Sequence, residues 1–276
     1  TRPVTCGMDQ VTCVLANGFA AMIDVPGFNY RAHRYLEAYE LLPQNIVLGS
    51  ETSSTVSSRG VYKFPVEKRG DAKYDDHQSS GYDLEHCAWS NVPDEDFALA
   101  DDYDWTIGQF VWTGFDYLGE SWGWPGRTNN YGIIDLAGFE KDHYYLYQSL
   151  WSDEPMVHVL PHWTHPGKEG VEIPVVVYTN GDAAELFYNG KSLGRKDMHR
   201  DSLQIVWNVP YRLGTIKAVA YKDGRVIASC SHKTAGKAYS LKLTADRKTM
   251  KSNRKDVVFV TVDVTDKKGN FEPYAN

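Results

Sequence analysis

The sequence predicts a multidomain protein with an α/β part followed by an all-β part: the C-terminal half of a (β/α)8 TIM barrel, then a β-sandwich and the start of a second one. Two observations carry this prediction. Up to about Trp151, short apolar runs alternate with helical stretches, which is typical of a parallel sheet covered by helices. Beyond it, β-type runs are separated by Asn180-Gly181, Asn189-Gly190 and Asp223-Gly224, and such pairs are strong hairpin indicators.

The first part, residues 1–152, is expected to contain four barrel strands, at residues 2–5, 20–25, 45–49 and 108–115. A helix is predicted over residues 31–42, because its apolar residues share one face and Pro43 follows it. Further helices are predicted near residues 93–100 and 141–150. A closed barrel needs eight strands, so the other four are expected upstream of Thr1.

The second part, residues 153–236, is predicted to be an antiparallel β-sandwich because its β-type runs and turns recur at short spacing. Its strands are expected at residues 171–178, 184–188, 203–209, 215–221 and 226–231. A third part, residues 237–276, has candidate strands at 240–245 and 257–264. These two strands are too few for a sandwich, so we expect a truncated domain.

Composition and charge exclude several classes of function. The net charge is -7 and the basic residues are scattered, so nucleic acid is not expected as a partner. No apolar stretch is long enough for a membrane span, and no signal peptide is recognisable. The four cysteines lack zinc-type spacing; Cys6 and Cys13 are close enough for a local disulfide, and free thiols are expected for most of the four. The 8 Trp and 18 Tyr, many beside polar residues, suit a pocket that stacks sugar rings.

Glu51 is the most informative single residue. It follows the apolar run Ile46-Val47-Leu48 and precedes a long polar segment, residues 52–103. A parallel strand delivers a functional group to the C-terminal rim of a barrel in this way. Loops as long as this segment are usually functional in a compact domain. Taken alone, Glu51 is more readily interpreted as a helix N-cap or an ordinary loop carboxylate than as a nucleophile.

Three segments after Glu51 resemble the end of the barrel in glycoside hydrolase family 2, the β-galactosidase and β-glucuronidase family. They are Phe-Val-Trp-Thr-Gly-Phe-Asp-Tyr-Leu-Gly-Glu at 110–120, Tyr-Gly-Ile-Ile-Asp-Leu-Ala-Gly-Phe at 131–139, and Lys-Asp-His-Tyr-Tyr at 141–145. The resemblance extends over essentially the whole chain and is greatest to Bacteroides-type β-galactosidases. In those proteins immunoglobulin-like modules follow the barrel. The resemblance therefore implies an immunoglobulin-like sandwich at residues 153–236.

The resemblance also implies an activity and a nucleophile. A protein of this kind is expected to be a retaining exo-β-glycosidase that hydrolyses terminal β-D-galactosides through a covalent glycosyl-enzyme intermediate. Glu51 matches the family's nucleophile, and Tyr30 matches the tyrosine whose hydroxyl binds that carboxylate. Asn29 is a weaker candidate at the same rim. Without the resemblance, Tyr30 is expected to be a half-buried packing residue.

Five further residues are candidates for contact with the sugar. Trp112 matches the tryptophan that forms the hydrophobic wall of the family's sugar subsite, and barrel core is the alternative. Trp122 and Trp124 lie in a Gly-rich loop and either form a further subsite or cover the rim. Asn129 and Asn130 lie near the position where family members place polar groups that contact sugar hydroxyls.

The second carboxyl group of a retaining glycosidase is not apparent in this chain. The two carboxyl groups must lie about 5 Å apart, and one acts as general acid. In the family this acid belongs to an Asn-Glu pair after the fourth strand, and no Asn-Glu pair occurs here. The acid is therefore expected upstream of Thr1, and the chain alone is expected to be inactive. Asp135 and Lys141 are expected to cap or pair around the last helix, while His86 and His143 are expected to be structural.

Other functions stay open at this point. β-Glucuronidase is less favoured because its Asn-x-Lys motif reads Asn129-Asn130-Tyr131 here, whereas β-mannosidase is not disfavoured. A non-catalytic carbohydrate-binding module would be favoured if Trp163 or Trp207 were exposed, but their apolar neighbours predict core packing.

The expected partners are a β-galactoside or related oligosaccharide and the remainder of the same polypeptide, and a homo-oligomer is left open. No cofactor is indicated and no cluster has metal-ligand spacing, although a divalent cation is left open. The bacterial resemblance suggests a periplasmic or secreted protein.

Overall fold

The computed structural model describes residues 2–119, 128–199 and 202–275. The chain forms two compact units, residues 1–152 with 199–203, and residues 153–198 with 204–276. No helix among the described residues has both the length and the apolar composition that a membrane span requires. The division into three domains at residues 152 and 236 stays a prediction.

The first unit contains a four-stranded parallel sheet whose strands are neighbours in chain order. Helical segments separate successive strands, as the alternation of apolar runs and helical patterns predicts. In chain order, the main elements are β1 (Thr5–Met8), α1 (Val11–Ala16), β2 (Val25–Asn29), α2 (Tyr35–Leu41), β3 (Val47–Ser53), α3 (Pro93–Asp102), β4 (Thr106–Trp112) and α4 (Asp142–Trp151).

The core of this unit lies between the sheet and the helices α1 and α2. Phe28 and Val47 on the sheet, together with Ala38 on α2, have no exposed surface. Tyr39 of α2 stacks on Trp105, with 4.5 Å between the ring centroids. Packing on one face of the sheet leaves the C-terminal ends of the strands free to carry polar side chains.

Two of the four predicted strands are misplaced. β1 begins at Thr5, where the predicted strand ends, and residues 20–22 form a 3-10 helix, so that β2 begins only at Val25. β2 contains Pro26 and Gly27, which are both rare in strands and therefore conceal it in the sequence. Gly27 is required by packing, because a Cβ there would lie 2.8 Å from the carbonyl oxygen of Cys6.

The cysteines are free thiols. Cys6 lies on β1, whereas Cys13 is exposed on α1, a short helix that the sequence did not predict. The local disulfide considered for these two residues is therefore absent. The expectation of free thiols is correct.

The second unit contains two antiparallel sheets that form a β-sandwich, followed by an antiparallel strand pair. Its strands are β5 (Val157–Leu160), β6 (Glu172–Thr179), β7 (Ala183–Tyr188), β8 (Lys191–Asp197), β9 (Ile205–Pro210), β10 (Thr215–Lys222), β11 (Arg225–Lys233), β12 (Ala238–Ala245) and β13 (Val260–Asp266). One sheet has the order β9-β6-β5 and the other β8-β7-β10-β11, while β12 pairs with β13. The sequence did not predict β5 or β8; β8 is polar and exposed throughout, so no apolar alternation marks it.

Trp163 and Trp207 belong to the core of this unit. Trp163 is 0% exposed and Trp207 is 5% exposed. The indole N–H of Trp163 donates a hydrogen bond of 3.0 Å to the carbonyl oxygen of Arg212. Core packing, the expectation from the apolar neighbours of both residues, is confirmed.

A buried histidine gives the second unit a stability that depends on pH. His165 is 1% exposed and packs edge-on against Trp163 and Tyr211. Burial lowers its pKa from 6.5 to about 4. The folded state, in which His165 is neutral, therefore has its full stability above pH 6.5. This stability is lost as the pH falls from 6.5 through 4, because His165 binds a proton at a higher pH in the unfolded chain than in the folded one.

We expect this residue to lower the free energy of unfolding by roughly 2–3 kcal/mol between pH 7 and pH 4. Denaturant unfolding of the protein and of His165→Gln at both pH values measures it. The variant should lose less stability on acidification. An equal loss in both proteins would show that another group is responsible.

Candidate active site

Glu51 lies at the C-terminal end of β3, on the edge of the parallel sheet. It pairs with Asn29 at the end of β2, one strand away. Because the carboxyl ends of parallel strands meet at the same edge, side chains that follow the two strands come together there. Glu51 is half-buried, as is Asn29, and Tyr30 is buried.

Each carboxylate oxygen of Glu51 accepts one hydrogen bond. The side-chain amide of Asn29 donates to Oε1 at 2.7 Å, and the hydroxyl of Tyr30 donates to Oε2 at 2.9 Å. The backbone N–H of Tyr30 also donates to the carbonyl oxygen of Glu51 at 2.6 Å. The three residues singled out from β2 and β3 are therefore in direct contact.

Two serines hold the groups that bind Glu51. The hydroxyl of Ser54 donates to the phenol oxygen of Tyr30 at 2.8 Å, and the hydroxyl of Ser50 donates to Oδ1 of Asn29 at 2.8 Å. Sequence reasoning missed both serines. They stand beside Glu51 in a run of small residues, but composition alone does not distinguish a positioning hydroxyl from an ordinary turn residue.

The site has the chemistry of an oriented carboxylate beside a neutral phenol. Burial raises the pKa of Tyr30, the hydrogen bond from Ser54 lowers it, and the charge of Glu51 raises it further, so the phenol stays protonated at neutral pH. Tyr30 can then donate a hydrogen bond without adding charge. A carboxylate held in this way can attack an electrophilic carbon or accept a proton.

Trp112 lies at the end of β4, where it pairs with Ser53 of β3. Its ring is half-buried and meets Tyr117 edge-on, with 6.1 Å between the centroids. It is thus not a fully buried core residue, and it ends the strand adjacent to the one that carries Glu51. Trp122 and Trp124 lie outside the described residues.

Asn129 and Asn130 lie on the wall of a polar cavity of about 850 Å³. The amide of Asn129 donates to the carbonyl oxygen of Gly119 at 3.1 Å, and that of Asn130 donates to the hydroxyl of Ser79 at 3.0 Å. Glu51 does not line this cavity.

Lys141, which the sequence predicts to cap or pair around the last helix, forms a buried ion pair with Asp116, a partner that the sequence did not identify. The ammonium group of Lys141 is 2.7 Å from Oδ1 of Asp116 and donates to the carbonyl oxygens of Ser57 at 2.8 Å and Asn130 at 3.2 Å. Lys141 pairs with Asp116 and makes no capping hydrogen bond with its side chain. It joins the loop after β3 to the loop after β4.

The remaining charged candidates have structural partners. Asp135 pairs with Arg59 at 2.7 Å. Nδ1 of His143 lies 3.0 Å from the hydroxyl of Ser57 and 3.1 Å from a carboxylate oxygen of Asp83. In the described parts of the chain, no group of three or more His, Cys, Asp or Glu residues is arranged to hold a metal ion.

Two family models match the second unit. One is described as a domain of unknown function, DUF4982, and matches residues 170–228. The other is described as glycoside hydrolase family 2 C-terminal domain 5 and matches residues 241–276. Apart from residues 199–203, both matches lie outside the unit that contains Glu51.

Relatives and solved structures match the chain more broadly. It is 40% identical over 100% of its length to the β-galactosidase BoGH2A of Bacteroides ovatus, of which it covers 34%. It is 43% identical over 63% of its length to a putative β-glucuronidase of Formosa agariphila, of which it covers 17%. A crystal structure of a β-glycosidase from Bacteroides vulgatus matches 99% of the chain with a TM-score of 0.83 and 35% identity; the chain covers 38% of that protein.

These matches define the class of protein. The family model that matches residues 241–276 describes a glycoside hydrolase domain, and the two matches that cover 99–100% of this chain are to glycoside hydrolases. Within that class, the chain belongs to glycoside hydrolase family 2, as the resemblance of residues 110–145 implies. It spans about a third of the length of the Bacteroides relatives that it matches throughout.

Proposed function

We propose that the protein containing this chain is a retaining exo-β-glycosidase that hydrolyses terminal β-D-galactosides. The contact between Glu51, Asn29 and Tyr30 carries this proposal, because it orients a carboxylate at the C-terminal edge of a parallel sheet. Glu51 is the nucleophile that attacks the anomeric carbon, and Tyr30 holds its carboxylate. Water then hydrolyses the glycosyl-enzyme intermediate.

The sheet itself is half of the catalytic barrel in this proposal. Its four parallel strands are adjacent in chain order, which is the connectivity of a (β/α)8 barrel. The remaining strands and the general acid belong to the rest of the polypeptide. The partners found for the Glu51 carboxylate are an amide and a phenol, so a second carboxyl group still has to be supplied.

The sugar subsite is formed around Trp112, a half-buried residue at the end of the strand next to that of Glu51. An indole face packs on the apolar C–H surface of a pyranose. Asn29 contacts the sugar or its nucleophile at the same edge. Asn129, Asn130 and Trp124 would bind more distant parts of the substrate.

The proposed galactoside specificity rests on the similarity of this whole chain to part of a β-galactosidase. A second candidate is β-glucuronidase, because relatives with that name are also similar to the chain. The sequence argues against it, since no lysine stands in the Asn129-Asn130-Tyr131 segment. β-Mannosidase activity and a non-catalytic carbohydrate-binding role are the remaining alternatives. For its location, we propose that the protein is periplasmic or secreted.

A panel of nitrophenyl β-glycosides tests the proposal. The full-length protein should hydrolyse the galactoside in preference to the glucuronide and the mannoside, and the 276-residue chain alone should hydrolyse none of them. Preference for the glucuronide would replace the substrate. Turnover by the chain alone would show that the general acid lies within it.

A further inference from the structure

The turn that follows Glu51 has a strained backbone. Ser53 and Ser54 both have positive φ values, of 65° and 51°. Residues other than glycine rarely adopt this left-handed conformation unless surrounding contacts hold them in it. Both serines are buried, each 1% exposed. The contacts made by this turn therefore decide where the hydroxyl of Ser54 lies.

Asp96, on α3, supplies the main contacts. Its Oδ2 accepts hydrogen bonds from the backbone N–H of Ser53 at 2.9 Å and from the hydroxyl of Ser53 at 3.1 Å. Its Oδ1 accepts a hydrogen bond of 3.0 Å from the side-chain amide of Asn91. Tyr147 donates to the Ser53 hydroxyl oxygen at 3.2 Å. Asp96 is buried, and its carboxylate joins the turn at Ser53 to Asn91, just before α3.

The turn at Ser53 and Ser54 is connected to Glu51 through two hydroxyl groups. The hydroxyl of Ser54 donates to the phenol oxygen of Tyr30, and Tyr30 donates in turn to Oε2 of Glu51. A shift of the turn would move Ser54 and leave the hydroxyl group of Tyr30 free to rotate about its C–O bond. Among the described residues, the Asp96 carboxylate is hydrogen-bonded to Ser53 and Asn91 and not to Glu51, so it acts on Glu51 only through this connection.

We propose that Asp96 is a positioning residue: by fixing the turn at Ser53, it holds the Ser54 hydroxyl against Tyr30 and thereby the Glu51 carboxylate in its reactive orientation. The proposal rests on the proposed function, since orientation of Glu51 matters only if Glu51 reacts. Loss of Asp96 should slow attack on the anomeric carbon, because small misplacement of a reacting group is costly. It should not weaken sugar binding, because the Asp96 carboxylate binds Ser53 and Asn91 and is not proposed to contact the sugar.

The test uses the full-length protein and measures kcat together with the rate at which a 2-deoxy-2-fluoro-galactoside labels Glu51. We expect Asp96→Ala to lower both rates about 10- to 100-fold while KM changes less than about threefold. Asp96→Asn should restore most of the rate, because its amide oxygen still accepts from Ser53 and Asn91 can turn to accept from the new NH2 group. Glu95→Ala, exposed on the same helix, is the control and should match the unchanged protein.

A double-mutant cycle with Tyr30→Phe separates positioning from a general loss of stability. Tyr30→Phe removes the hydroxyl that connects the turn to Glu51, so Asp96→Ala should then lower kcat by less than about twofold further. An equal reduction in both backgrounds would overturn the proposal. If Asp96→Ala does not fold, Ser53→Ala replaces it in the cycle with the same expectation, because it removes a hydroxyl that binds Asp96.

Failure of the proposed function would give a different result. Glu51→Gln would then retain turnover, and the fluorinated sugar would not label Glu51. If Glu51→Gln is inactive while Asp96→Ala turns over at the unchanged rate, only the positioning role of Asp96 is wrong.

Discussion

Glu51→Gln should lower kcat for galactoside hydrolysis by about 10⁴-fold or more in the full-length protein. A glutamine has the same shape but no nucleophilic oxygen of comparable strength. Its amide oxygen can accept from Asn29, and its NH2 group can donate to the phenol oxygen of Tyr30, so the site should stay folded. Steady-state kinetics, with thermal unfolding as a check on folding, measures the effect.

The matched control is Glu40→Gln, an exposed glutamate on α2, which should leave kcat unchanged. A second experiment distinguishes a nucleophile from a general acid. In Glu51→Ala, added azide should restore turnover of an activated galactoside: azide forms the bond to the anomeric carbon as the leaving group departs with the bonding electron pair. The product should be the α-galactosyl azide. Formation of the β-azide would identify Glu51 as the acid/base instead.

Lys141→Met should lower the free energy of unfolding by about 3–5 kcal/mol, the largest stability effect that we expect in the first unit. Lys141 is 1% exposed, and the substitution leaves the Asp116 carboxylate and two carbonyl oxygens without their donor. Burial lowers the pKa of Lys141 and raises that of Asp116, so each charge is retained largely through the other. Denaturant unfolding measures the loss.

Two further variants make this prediction specific. Lys68→Met removes the partner of Glu95 in an exposed pair, and it should cost less than about 1 kcal/mol. The double variant Lys141→Met with Asp116→Asn should be more stable than Lys141→Met, because the uncompensated charge is gone. If Lys141→Met and Lys68→Met lower the free energy of unfolding equally, the buried pair does not stabilise the fold.

Much of the architecture could be predicted because it depends on local patterns. The helix α2 is marked by apolar spacing and by Pro43 just after it, and α3 is marked by Pro93 at its start. Most strands of the sandwich are marked by apolar runs between turn dipeptides. Prediction was wrong for the start of β2, which contains Pro26, and it missed β8, which is exposed on every residue. In both strands tertiary pairing overrides local preference.

The sequence by itself determined the family, through the segments at residues 110–145, and the resemblance predicted Glu51, Tyr30 and Trp112 as site residues. Only the tertiary structure decided which residues meet. It brought Asn29 and Tyr30 into contact with Glu51 and placed Asn129 and Asn130 on the wall of a cavity. It also identified the partners of Asp96 and Lys141, which lie 43 and 25 residues away in the chain. A buried polar group is defined by the partner that satisfies it, and the packing of loops on the sheet, not local sequence, determines that partner.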